Sequence, residues 1–130
     1  GWGYMELWRA IDSLGWLLLL PDGVGRSWNS GACCGKAVAD QVDDVGYLRR
    51  LLGKVVADHG ASGDIYVLGY SNGGYMATLL AASGSQASEG VRIRGIAATA
   101  GHVYNTSQLR AQGTAVMLQM SRDDHHVRYD

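Results

Sequence analysis

Ser71 stands in Gly69-Tyr70-Ser71-Asn72-Gly73, with an apolar segment on either side. A serine hydroxyl attacks a carbonyl only when a base takes its proton, and a carboxylate that orients the base completes the relay. Gly-x-Ser-x-Gly is what a very sharp strand-to-helix turn demands: the serine sits at a strained backbone position with its hydroxyl outward. Side chains two residues before and two after would collide across such a turn, so Gly69 and Gly73 are both expected to be required. Nineteen glycines in this chain give about 0.2 such matches by chance, so the flanking sequence has to decide. Asp64-Ile65-Tyr66-Val67-Leu68 is β-branched, aromatic and apolar, as a buried parallel strand should be. Met76-Ala77-Thr78-Leu79-Leu80-Ala81-Ala82 lacks Gly and Pro and suits a buried helix. The alternative, a flexible Gly-Ser-Asn turn without chemistry, has no need of those flanks.

Other residues with chemical potential are weighed the same way. Asp124 follows an apolar strand candidate. His102 also follows one; lining the site or closing a loop suits it better than acting as base. His125 and His126 adjoin Asp124, but neighbouring side chains on an extended loop point apart, so a local relay is not expected. Asp123 to His126 are four ligand-type residues in a row that cannot converge on one ion, and no second cluster has metal spacing. No metal and no cofactor is expected. Tyr70 beside the serine and Trp28 are candidates for a wall against an acyl group, with core or loop anchor as the other reading of Trp28. Asp43 and Asp44 suit the first turn of a helix, where the dipole favours carboxylates, and His59 suits its last turn. Cys33 and Cys34 are adjacent, which fits neither a zinc site nor a thioredoxin-type pair. Buried thiols, a vicinal disulfide and an external partner all stay open. No Lys follows the serine turn in P-loop fashion, and no Gly-x-Gly-x-x-Gly follows a strand, which disfavours a phosphate cradle.

The elements that must position these residues alternate. Tyr4–Leu14 carries apolar residues at helical spacing, and Gly15 stops it. Trp16–Leu20 is expected as a fully buried strand ending at Pro21-Asp22-Gly23. A Gly-, Ser- and Asn-rich loop over 25–35 precedes an amphipathic helix over Asp40–His59. After the serine turn, Ile93–Ala100 and Ala115–Met120 are further strands. Helices alternating with nearly continuous apolar strands imply an α/β fold, a parallel sheet with helices on both faces. Sites in such sheets gather at the carboxyl ends of strands, which puts Ser71, the loop after Leu20, His102 and Asp124 on one rim.

At 130 residues the chain is at most one domain, and 47% hydrophobic against 18% charged residues suits a globular core. A net charge of −1, with no basic stripe, excludes a phosphate-backbone binder, so no nucleic-acid partner is expected. Trp16–Leu20 is far too short to cross a bilayer, so no membrane partner is expected either. The first residues do not resemble a signal peptide, and the chain opens on Gly rather than Met, as a mature product or a fragment would. Oligomeric state is left open.

Three segments taken together, Trp28-Asn29-Ser30-Gly31-Ala32-Cys33-Cys34-Gly35, Val42-Asp43-Asp44-Val45-Gly46-Tyr47-Leu48 and Gly69-Tyr70-Ser71-Asn72-Gly73-Gly74-Tyr75-Met76, resemble the poly(3-hydroxybutyrate) depolymerase and feruloyl/acetylxylan esterase family of the α/β-hydrolases. The resemblance runs over about residues 14–130 in the same order. It implies an α/β-hydrolase fold, with Ser71 as nucleophile and the backbone N–H of Asn72 as an oxyanion donor. The substrate would be a polyester or a feruloyl or acetyl ester, cleaved outside the cell, as the family is typically secreted. The family's acid lies in a His-Gly-Thr-x-Asp-x-x-Val-Pro-Tyr-like segment, which matches Met120–Tyr129 and puts the acid on Asp124. Met120, Ser121, Arg122 and Arg128 depart from that pattern without moving the carboxylate. The resemblance further implies that the triad histidine lies beyond Asp130, and that a second oxyanion donor and the first strands precede Gly1. The expectation is therefore a single partial domain over 1–130, with little turnover by itself. A catalytically inactive binding module of the same fold is the alternative.

Overall fold

The computed structural model describes residues 2–31, 33–84, 90–101 and 113–125. Its elements are α1 (Trp2–Ser13), a 3₁₀ turn (Val24–Arg26), α2 (Lys36–Ala39), α3 (Asp44–His59), β1 (Asp64–Tyr70), α4 (Asn72–Ala82), β2 (Arg92–Thr99) and β3 (Ala115–Gln119). The three strands form one parallel sheet in the order β1-β2-β3. The chain is thus α/β, as the alternation of elements implies.

Local chemistry explains most boundaries. The Asp43 carboxylate accepts from the Gly46 N–H at 2.9 Å, capping α3 and starting it at Asp44 rather than at Asp40. Gly60, at φ 63°, closes the same helix in the left-handed conformation. The start of β1 is tied to β2 by Asp64, whose carboxylate meets Arg92 at 3.1 Å and Arg94 at 3.0 Å.

The core lies on one side of the sheet. Leu48 of α3 meets Met76 and Leu80 of α4, with Val45, Leu52, Val67 and Ile93 packed around them. Ala81 and Ile96 form a second cluster beneath α4. Alternation along β1 and β2 sends Val67, Ile96 and Ala98 toward this core.

The opposite face departs from expectation. Tyr66, Leu68 and Tyr70 project there and are 52%, 69% and 74% exposed. Among the described residues, helices cover one face of the sheet and not both. Trp16–Leu20 is not a strand. Its apolar character is real, but a strand also needs a neighbour's backbone groups, and among the described residues β1 pairs only with β2. The Trp16 N–H bonds instead to the Ile11 carbonyl at 3.1 Å, and Trp16, Leu17 and Leu20 are exposed. Trp16 stacks on Tyr66 with centroids 5.2 Å apart, a side-chain contact in place of a ladder.

Candidate functional site

The turn at Ser71 is as sharp as its glycines require. Tyr70 ends β1 and Asn72 begins α4, leaving Ser71 alone between them at φ 52°, ψ −121°. A non-glycine residue there carries strain of about 1–3 kcal/mol, and it persists only because its surroundings hold it. They do: the Ser71 N–H donates to the Thr99 carbonyl at 2.8 Å, and the Ser71 carbonyl accepts from Gly74 at 2.8 Å and Tyr75 at 3.2 Å. Serine is a favoured residue at a helix N-cap, where its oxygen normally accepts from the first turn. Ser71 occupies that place and its side chain makes no cap hydrogen bond. The hydroxyl is left available beside the helix N-terminus.

The glycine requirement is met by a different pair from the one the motif suggests. A Cβ on Gly69 would lie 2.7 Å from the Gly74 nitrogen and closer still to the Gly73 carbonyl. A Cβ on Gly73 would meet nothing within 4 Å, so Gly73 is not required by contact. The second tight place is Gly74, which packs backbone to backbone on Gly101. A Cβ on Gly101 would sit 2.8 Å from the Gly74 Cα. That approach pins the chain leaving β2 against the first turn of α4.

Asn72 joins the turn to a distant loop through its side chain. Its Oδ1 accepts from the Trp28 N–H at 2.7 Å, while its Nδ2 donates to the carbonyls of Trp28 at 3.0 Å and Cys33 at 2.8 Å. The same loop is anchored to α3: the Asn29 N–H donates to Asp44 Oδ2 at 2.6 Å, and Asn29 Nδ2 donates to the Val42 carbonyl at 2.9 Å. Asp44 is 2% exposed, so this bond satisfies a buried carboxylate as well as fixing the loop. Cys33 and Cys34 are disulfide-bonded to each other, which settles the three open readings of the pair. The backbone N–H of Asn72 opens α4, where helix geometry offers no carbonyl one turn behind it and the dipole favours negative charge.

The carboxyl ends of the three strands share one rim of the sheet. The Thr99 carbonyl holds Ser71, and the Ala100 N–H donates to the Gln119 carbonyl at 2.9 Å, so the exits of β1, β2 and β3 are tied in series. Asp124 lies five residues beyond β3, partly buried, its N–H donating to the Ser121 carbonyl at 3.3 Å. β2 separates its strand from that of Ser71, so the two exits stand about 10 Å apart, twice the strand spacing. His102 and His126 lie outside the described residues. His125 is exposed. Tyr70 presents its ring on the uncovered face next to Ser71, whereas Trp28 packs against the Leu48–Met76–Leu80 core and meets the turn through its backbone. Among the described residues no group of three His, Cys, Asp or Glu could hold a metal ion, and no helix is long and apolar enough to cross a membrane.

Sequence reasoning placed Asn72 at the site for its backbone alone. Its side-chain bonds span 44 and 39 residues, so no local pattern announces them. No protein-family model, no curated protein and no solved structure matches this chain.

Proposed function

We propose that the chain carries the nucleophile turn of a serine carboxylic-ester hydrolase of the α/β-hydrolase type. The observation that carries this reading is Ser71 itself: a serine at φ 52° between strand and helix, in the usual capping place, with its hydroxyl not used as a cap. Strain of that kind persists where surrounding structure over-determines it, and such places cluster at functional sites.

In this reading the Ser71 Oγ attacks the ester carbonyl as a histidine oriented by Asp124 takes its proton. The negative oxygen of the tetrahedral intermediate is met by the Asn72 N–H, at the positive end of α4. The carbon–oxygen bond to the alcohol breaks, the alcohol leaves with the proton, and the acyl group remains on Ser71. Water then repeats the sequence and releases the acid. The exposed Tyr70 ring beside Ser71 supports contact with an apolar or aromatic acyl group, as a feruloyl or polyester substrate would offer. His102 keeps its proposed place in the lining of the site. A vicinal disulfide is consistent with an oxidising, extracellular setting.

The test is capture of the acyl-enzyme. The protein at its natural length is mixed with an activated short-chain ester, quenched in acid and digested. The expected result is an acyl adduct on the peptide that contains Ser71, absent in Ser71→Ala. An unmodified Ser71 peptide during ester turnover would refute the reading.

A further inference from the structure

The Cys33–Cys34 disulfide lies one hydrogen bond from the residue that follows Ser71. The Cys33 carbonyl accepts from Asn72 Nδ2 at 2.8 Å and from Ser30 Oγ at 2.7 Å. A disulfide between adjacent cysteines closes a small ring through the peptide bond that joins them, so it restrains the direction of that carbonyl. Ser30 is buried, while Cys34 is exposed. The inner end of the device is therefore fixed and the outer end is open to solvent.

We infer that this disulfide is a redox latch on the site: oxidised, it holds the Asn72 side chain and thereby the adjoining oxyanion N–H; reduced, it releases them and slows the reaction at Ser71. This rests on the proposed esterase reading for its effect on rate, but the mechanical part stands on the hydrogen bonds alone. A dithiol reductant supplies the electrons. One of its thiolates attacks a sulfur of the pair, the Cys33–Cys34 bond breaks, each cysteine gains a proton, and the reductant closes to a disulfide. Once the ring is open, the Cys33 peptide unit can rotate, and Asn72 loses one of the three acceptor or donor contacts of its side chain. Asn72 acts here as a positioning residue; the group that would touch substrate is its backbone N–H. The site would then be assembled only where disulfides persist, and be idle in a reducing compartment.

The latch is tested on the natural-length protein, oxidised and after dithiothreitol, with thiol alkylation and mass spectrometry to show that the pair is fully reduced. Two readouts are taken from each sample: the saturating rate of fluorophosphonate labelling at Ser71, and amide hydrogen exchange along the chain. Reduction is expected to lower the saturating labelling rate by roughly tenfold, part of the ~10²–10³ lost with a whole oxyanion donor, while the half-saturating probe concentration holds. Exchange should rise over 28–34 and 71–74 and stay unchanged in β2 and the middle of α3. The Cys33→Ser/Cys34→Ser protein should behave as the reduced form and ignore dithiothreitol. Unchanged labelling and exchange after complete reduction would overturn the latch, as would a loss of protection throughout the chain. If neither form labels, the esterase reading fails, and the exchange comparison alone decides whether the latch exists.

Discussion

The side-chain amide of Asn72 brackets the backbone of Trp28, accepting from its N–H at 2.7 Å and donating to its carbonyl at 3.0 Å. A residue in the first turn of α4 thus does the work of a strand partner for a loop 44 residues away. With the third bond, to Cys33, it sets where that loop stands relative to Ser71.

Asn72→Ala removes all three bonds and leaves the part-buried Trp28 N–H without its acceptor. The expected cost is about 2–3 kcal/mol, since an orphaned donor adds its desolvation to the lost bonds. Urea unfolding of the two proteins measures it. A change under 0.5 kcal/mol would mean water replaces the amide and the bracket is not structural.

The two motif glycines should behave oppositely. Gly69→Ala drives a Cβ into the backbone of Gly73 and Gly74, a collision no rotamer relieves, and should cost about 3 kcal/mol or prevent folding. Gly73→Ala meets open space in a helix, where Ala is preferred to Gly by about 1 kcal/mol, so it should be neutral or stabilising. Thermal midpoints of the pair give the answer; equal losses would contradict the geometry.

The sequence made the serine turn, α3, α4 and the three strands legible because each is specified locally: by apolar period, by the Asp43 cap, by the glycines around Ser71. It misled at Trp16–Leu20, where apolarity promised a buried strand. Strand formation is decided by a neighbouring edge, and the edge of β1 facing away from β2 has no such partner among the described residues. The same non-local logic hid the Asn72 bracket and the Gly74–Gly101 approach. It left the cysteine pair undecided until the disulfide was seen.

The uncovered sheet face has a solution consequence. Tyr66, Leu68 and Tyr70 form an apolar row with Trp16 stacked at its end, and such surfaces drive association. The 130-residue chain should bind an apolar dye and self-associate at micromolar concentration. Leu68→Lys, at a position 69% exposed, should reduce both with little loss of stability. Light scattering and dye fluorescence read the effect; a monomeric, dye-silent wild type would contradict it.

Asp64 gives a pH signature at the other end of the sheet. The Arg94 guanidinium, with Arg92 beside it, holds the Asp64 carboxyl below the usual carboxylate range. A lowered folded pKa means the pair contributes stability above the ordinary carboxylate pKa and loses it as pH falls through the lowered one. Asp64→Asn should therefore melt below wild type at pH 7, and the gap should close in strong acid. The gap should also shrink with salt, because these ion pairs are exposed. A gap that persists at pH 2 would assign it to packing instead.

The most direct test of the central claim is covalent. A fluorophosphonate probe reacts with a serine only when that serine is activated as a nucleophile. The natural-length protein is treated with the probe, digested and mapped by mass spectrometry, with Ser71→Ala alongside. The account predicts one phosphonylated peptide, carrying Ser71, and none in the variant. A probe that leaves Ser71 unmodified, while the folded protein retains its thermal transition, would show that the strained turn serves no acyl-transfer chemistry.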